Sequence, residues 1–217
     1  MTIREIFEHF DKIGCCTFAT IDGEYPETRI AHFLAYDEAG IYFMTMTTKP
    51  FYKQLKETGK VSVCGLCANS AVEETKDGNL LFDNGYSIRL TGDVREVSIE
   101  EIKAKNNPHF AYCIVDQARY PAMTTFVVYR AKGEIFDYDF EKVHRDHKLE
   151  RVRFSFSGFP TVQPGLTITE KCIGCGKCVK ACSFDAIYQE GAHYKINGNR
   201  CDECGNCFLT CPVNAIV

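Results

Sequence analysis

Eight of the thirteen cysteines in this 217-residue chain lie between positions 172 and 211. They form two runs of one spacing, Cys172-x2-Cys175-x2-Cys178-x3-Cys182 and Cys201-x2-Cys204-x2-Cys207-x3-Cys211-Pro212. Each x2 step brings successive thiolates onto one side of a tight loop, as an iron-sulfur cube requires, while the fourth cysteine stands too far along to join its own group. The spacing predicts two 4Fe-4S clusters with crossed ligands. Cys172, Cys175, Cys178 and Cys211 are expected to hold one, and Cys201, Cys204, Cys207 and Cys182 the other. A structural zinc site uses four ligands with a longer spacer between its pairs, so a third cysteine at x2 argues against it. Disulfides suit the chain less well, because no secretory segment is seen at its start and cytosolic thiols stay reduced. The expected location is cytoplasmic.

The two runs are a duplication. Ala186-Ile187 recurs as Ala215-Ile216 at the same offset as the cysteines, so each half reads as loop, short helix, short strand. Gly174, Gly176 and Gly205 let the backbone turn tightly and aim N–H groups at sulfur. Ser183 replaces, after Cys182, the proline that follows Cys211. The segment resembles a bacterial two-cluster ferredoxin, but with five acidic and five basic residues it lacks the strong acidity of freely diffusing ferredoxins.

At 217 residues the chain exceeds such a module and suits one further domain of ordinary size. The boundary is placed in 159–165, Phe-Pro-Thr-Val-Gln-Pro-Gly, where prolines and glycine interrupt all periodicity. The expected organisation is therefore a domain over 1–158, a linker over 159–165 and a cluster domain over 166–217. No apolar stretch approaches the roughly 20 residues that span a bilayer. A net charge of −4 without a basic run gives no nucleic-acid signature. No membrane or nucleic-acid partner is expected.

Thr2-x-x-Glu5 is a capping box for an opening amphipathic helix that ends at Gly14. Strands are expected over 15–21, 28–36, 41–46, 60–67 and 86–97, with a helix over 49–57 that has Pro50 in its first turn and stops at Gly59. Ser98-x-x-Glu101 caps another helix. Segments 124–131 and 134–138, separated by Lys132-Gly133, read as a closing hairpin, and 148–156 as a further strand. The predicted fold class is β-rich α+β, an antiparallel small barrel followed by a small α+β cluster domain.

The order of Ala19-Thr20-Ile21-Asp22-Gly23-Glu24-Tyr25-Pro26-x-x-Arg29, the stretch Ile41 to Leu55, Val61 to Gly65 and Arg89 to Val94 is similar to the pyridoxamine 5'-phosphate oxidase-like family of flavin-binding split barrels. The resemblance spans most of residues 1 to 140 and implies FMN at a homodimer interface. It assigns the phosphate to Arg29, Thr47, Thr48 and Lys49, the isoalloxazine edge to the strand with Met44 and Thr45, and the phosphate or ribityl hydroxyls to Gln54. An arginine fork, a lysine and a helix N-terminus suit a dianion. Read without the resemblance, Arg29 and Lys49 are solvated charges and the threonines strand formers. The C-terminal basic segment that an oxidase of that name would use is replaced here by the cluster domain.

The remaining candidates are weaker. Cys64-x-x-Cys67 on a strand points its thiols to opposite faces. Cys15, Cys16 and Cys113 read as small buried residues, and His32, facing away from Arg29 on a regular strand, as a core histidine in preference to an acid near the flavin. His144 and His147 near Asp146 suggest a metal only faintly, and Tyr112, Arg119 and Tyr120 are candidates for a substrate pocket. No G-x-G-x-x-G dinucleotide signature is found. The expectation is an FMN- and iron-sulfur-dependent oxidoreductase with an external electron donor or acceptor and a small organic substrate. Its rivals are a substrate-free relay for a larger redox enzyme and a redox or ligand sensor.

Overall fold

The computed structural model describes residues 1–67, 72–74, 76–77, 80–82, 85–138, 150–161 and 164–217. In chain order the elements are α1 (Ile3–Ile13), β1 (Cys16–Asp22), β2 (Tyr25–Ala31), β3 (Ala35–Asp37), β4 (Gly40–Met46), α2 (Pro50–Thr58), β5 (Lys60–Cys67), β6 (Val72–Glu74), β7 (Leu80–Phe82) and β8 (Gly85–Val97). Then come α3 (Ile99–Ala104), α4 (Ala111–Arg119), β9 (Met123–Tyr138), β10 (Glu150–Phe156), α5 (Lys177–Ala181), β11 (Ile187–Glu190), β12 (His193–Ile196) and α6 (Asn206–Thr210). The architecture is β-rich α+β. His144, Asp146 and His147 lie outside the described residues.

The chain divides into two compact units. One comprises Met1–Cys67, Ser87–Glu134 and Phe154–Thr161; the other comprises Ala68–Tyr86, Ile135–Arg153 and Val162–Val217.

In the first unit, α1 forms as its sequence demands: Thr2 Oγ1 accepts from the Glu5 N–H, the Glu5 carboxylate accepts from the Thr2 N–H, and Gly14 ends the helix at φ 76°. Lys49 caps α2, Pro50 opens it, and Gly59 closes it in the left-handed region. The large sheet runs in the order β2-β1-β5-β8-β9-β4-β3, with β10 also on β9. Strands β1 and β4 stand four steps apart, about 19 Å in a flat sheet at the usual ~4.8 Å spacing. Yet the rings of Phe18 on β1 and Phe43 on β4 lie 5.2 Å apart. The sheet therefore curls upon itself, around an aromatic core of Phe10, Phe18, Phe33, Phe43, Phe51 and Phe126. Tyr42 points to the other face of β4, where it packs with Ile102, Phe110 and Cys113. Both faces of β4 are thus buried.

Three expectations need correction. The anticipated hairpin at Lys132-Gly133 is the middle of one continuous strand, β9. Gly133 is needed there for close approach, since a Cβ would collide with the Arg89 carbonyl oxygen and the Phe154 ring. The strand expected over 28–36 is two, β2 and β3, with the chain between them turning Phe33 into the core, 5% exposed. Cys15 is exposed, whereas Cys16 and Cys113 are buried, and burial pushes each of these two thiols up to about 11.

In the second unit, α5 and α6 each follow a left-handed glycine, Gly176 and Gly205. The pair β11–β12 is a short antiparallel ladder, and Ile168 bridges Ile216. The duplicated dipeptides are the core of each half: Ala186 and Ala215 are 1% exposed, and Ile187 and Ile216 are buried beside them.

Candidate functional site

The second unit gathers the cysteines. One cavity is lined by Cys172, Cys175, Cys178 and Cys211 together with Ile168, Ile173, Gly176, Tyr194 and Pro212. A second is lined by Cys182, Cys201, Cys204 and Cys207 with Leu166, Phe184, Ala186, Ile187 and Ile196. Each takes three cysteines from one run and the fourth from the other. Backbone N–H groups also reach sulfur: Gly174 donates to Cys172 Sγ and Glu203 to Cys201 Sγ, both at 3.4 Å, and Ala215 to Cys211 Sγ at 3.2 Å. The first two stand at the same place in the two repeats. The N–H groups of Gly174 and Tyr194 hold the Cys172 thiol below its ordinary pKa, desolvation opposing them and His193 assisting. Burial instead raises Cys178, and pushes Cys207 to about 11. Small apolar walls, four converging sulfurs and N–H···S donors are the donor set of an iron-sulfur cube.

The loops around the two cavities differ. Glu203, at φ 58°, is held by Arg151 at 2.8 Å, by Arg153 at 3.6 Å and by the Gly165 N–H at 3.0 Å. Arg151 is buried over the Phe136 ring, 4.9 Å from its centroid, and Phe136 packs against Phe184, Ala186 and Cys201. Desolvation raises the Glu203 carboxyl, but Arg151 and the Gly165 N–H outweigh it, and the net shift is downward.

Residues 171–215 match the 4Fe-4S dicluster domain. This part is 39% identical over 59 residues to the ferredoxin YfhL of Escherichia coli, covering 24% of this chain and 69% of that protein. Through it, the chain belongs to the 4Fe-4S dicluster family. The dicluster segment is also 43% identical over 51 residues to a 7Fe ferredoxin of Hydrogenibacillus schlegelii, 23% of this chain, and spans only 65% of that protein's length. Among solved structures the chain is similar to a NimC/NimA family protein of Clostridium acetobutylicum, with 19% identity, TM-score 0.49, and coverage of 71% of this chain and 92% of that one. It is similar also to a putative pyridoxamine 5'-phosphate oxidase of Listeria innocua, with 12% identity, TM-score 0.38, and coverage of 57% and 89%.

The first unit has a cavity of about 680 Å³, lined by residues of β2, β4, α2 and α4. Arg29, Met44, Thr45, Lys49 and Gln54 all border it. Thr47 and Thr48 are exposed just before α2 and are not part of its wall, and the Thr47 N–H is bound to the Ala122 carbonyl. At its floor Arg29 donates from Nη1 to Thr20 Oγ1 at 2.5 Å and from Nη2 to Gln54 Oε1 at 2.7 Å. Thr20 donates in turn to the same Gln54 oxygen at 2.5 Å, and Gln54 Nε2 donates to Asp22 at 3.1 Å. The guanidinium lies 4.4 Å over the Phe51 ring. Burial lowers the Arg29 pKa, opposed by Glu27 and Asp22. Arginine has five N–H donors and two are used here, so three remain for an anion that would also relieve that desolvation.

Thr20, the buried link in this network, escaped the sequence reading. Its signal was its place two residues after inward-facing Phe18 on β1, which puts a hydroxyl on the core side. His32 is not a core histidine: β2 stops at Ala31, and His32 is exposed and borders the same cavity as Arg29. Tyr112 lines the cavity, but Arg119 and Tyr120 do not; they stack on one another at 5.2 Å. Cys64 is exposed and Cys67 half-buried on β5, neither in a disulfide.

Proposed function

We propose that the chain is an iron-sulfur flavoprotein oxidoreductase of the cytoplasm, with a cluster domain over 166–217, a linker over 159–165 and an FMN domain over 1–158 that works as a homodimer. The observation that carries this reading is the crossed grouping of cysteines. It supports Cys172, Cys175, Cys178 and Cys211 as ligands of one 4Fe-4S cluster, and Cys201, Cys204, Cys207 and Cys182 as ligands of a second. Bound there, clusters would supply one-electron chemistry and FMN the conversion to two-electron, hydride-equivalent chemistry.

The chain's own groups have separate tasks. Arg29 and Lys49 supply positive charge for the FMN phosphate, with Thr47 and Thr48 at the mouth of α2. Gln54 and Thr20 hold the Arg29 fork in one orientation. Met44 and Thr45 border the flat ring, and His32 and Tyr112 offer polar groups to a small organic substrate from the wall. Buried Cys178 and Cys207, with the Ile187 and Ile216 side chains beside them, exclude water from both cysteine cavities. A cavity of this size suits a ligand site.

Anaerobic purification with iron, sulfide and flavin counted per chain tests the reading. About eight irons and one FMN are expected for two cubes and one flavin. Cys211→Ser and Cys182→Ser should each lose one cluster and leave the other. Bound zinc, no flavin, or loss of both clusters in either variant would overturn it.

A further inference from the structure

The two halves of the dicluster segment have one fold but different surfaces. At the first run the exposed positions are Lys171, Ile173, Lys177, Val179 and Lys180, with Ile173 63% exposed beside Cys172. Their counterparts in the second run are Arg200, Asp202, Asn206, Phe208 and Leu209. The first run therefore carries three exposed lysines along with exposed Ile173, whereas the second exposes Phe208 and Leu209 and has no lysine. At the second, Asp202 and Glu203 set two acids against Arg200, and Glu203 is already neutralised by Arg151 and Arg153. Among the described residues no ion pair engages Lys171, Lys177 or Lys180, whereas Lys195 in the same unit is paired with Glu190. Glu170 is the one acid in the stretch 170–180.

From this asymmetry we propose that the face formed by Lys171, Ile173, Lys177 and Lys180 docks an acidic one-electron carrier protein, so that electrons cross at the Cys172–Cys175–Cys178 loop. Charge complementarity selects the partner: three exposed lysines in the segment that carries Ile173 gather an acidic protein from a distance, and exposed Ile173 offers an apolar contact beside the first cavity. Each encounter moves one electron. The carrier is oxidised by one, this chain is reduced by one, and no bond forms or breaks. The inference rests on the proposed cluster sites and adds which of them meets the carrier.

The test is binding of an oxidised acidic two-cluster ferredoxin, used as the probe, to the anaerobically purified full chain by titration calorimetry at low and high salt. In wild type the affinity should fall as salt rises. K171E/K177E/K180E should weaken it at least about tenfold at low salt and flatten the salt dependence. K53E/K60E/K103E, with the same net charge change confined to the first unit, should bind as wild type. Equal weakening in both triple variants, or no salt dependence, would overturn the proposal. So would preference for vesicles containing phosphatidylserine over the ferredoxin. Iron and sulfide counted on the same samples separate the two readings. Full cluster content with charge-insensitive binding removes the docking face alone; absent clusters remove the proposed function.

Discussion

Gln54 is the hub on which the cavity floor turns, and Gln54→Leu is the sharpest test of that geometry. The substitution keeps volume on the buried face of α2, where Gln54 is 3% exposed, so the change is one of hydrogen bonding. Three bonds go: from Thr20, from Arg29 and to Asp22. Their costs differ because the groups left behind differ. Asp22 is exposed and returns to water. Arg29 is half-buried, keeps its bond to Thr20 and can turn its freed N–H toward the open cavity. The hydroxyl of Thr20, 4% exposed, has no other acceptor in this network and carries the main penalty, about 1–3 kcal/mol for an orphaned buried group. With the weaker losses the total is about 2–4 kcal/mol, or roughly 4–16 °C of melting temperature for a domain of this size. Near-ultraviolet circular dichroism follows the barrel aromatics separately from the visible absorbance of the clusters. Gln54→Glu retains the acceptor for both Thr20 and Arg29 but sets a second carboxylate against Asp22, and should melt between the parent and Gln54→Leu. A Gln54→Leu chain that melts within about 1 °C of the parent would refute the network as the support of Arg29.

Gly133→Val should destabilise the barrel by at least about 1–3 kcal/mol through forced displacement of β8 or Phe154, read as an earlier urea midpoint. Glu96 accepts from Thr124 at 2.7 Å and Lys56 at 3.0 Å; desolvation raises its carboxyl, but these partners and Tyr52 bring it below its ordinary value. Its folded value lying below its unfolded one, its contribution is fully present above the ordinary carboxylate value and is lost as pH falls from there through the lower folded value, so thermal midpoints should drop on acidification and drop less in Glu96→Gln. Arg151→Met leaves Glu203 without its closest cation beside Cys201; the second cluster's reduction potential should shift in a redox titration followed by electron paramagnetic resonance while the first stays put.

What was legible in the chain divides along a physical line. Local devices announced themselves: the Thr2/Glu5 box, Pro50 and Gly59 around α2, and the cysteine spacing all act within a few residues, and all lie where they were expected. Helix α4 gave no such notice, because it grows straight from a 3-10 turn at Pro108–Phe110, has no capping side chain at Phe110, and fully buries only Cys113. Gly133 looked like a turn because glycine's freedom and its smallness leave one mark in sequence; only the approach of Arg89 and Phe154 from distant strands decides between them. Thr20 and His32 share that difficulty, since each owes its place to where a curled sheet brings β1, β2 and α2 together. The duplicated cysteine runs add a last case. Their equal spacing argues for equal halves, yet Glu203 occupies in the second loop the place of Gly174 in the first, and takes up the positive φ that suits glycine. Such a residue is retained against its backbone preference when its side chain has a task, and here the carboxylate engages Arg151, Arg153 and the Gly165 N–H at once. The repeat thus anchors the second loop through an ion-paired carboxylate that the first loop, with Gly174 at the same place, does not have.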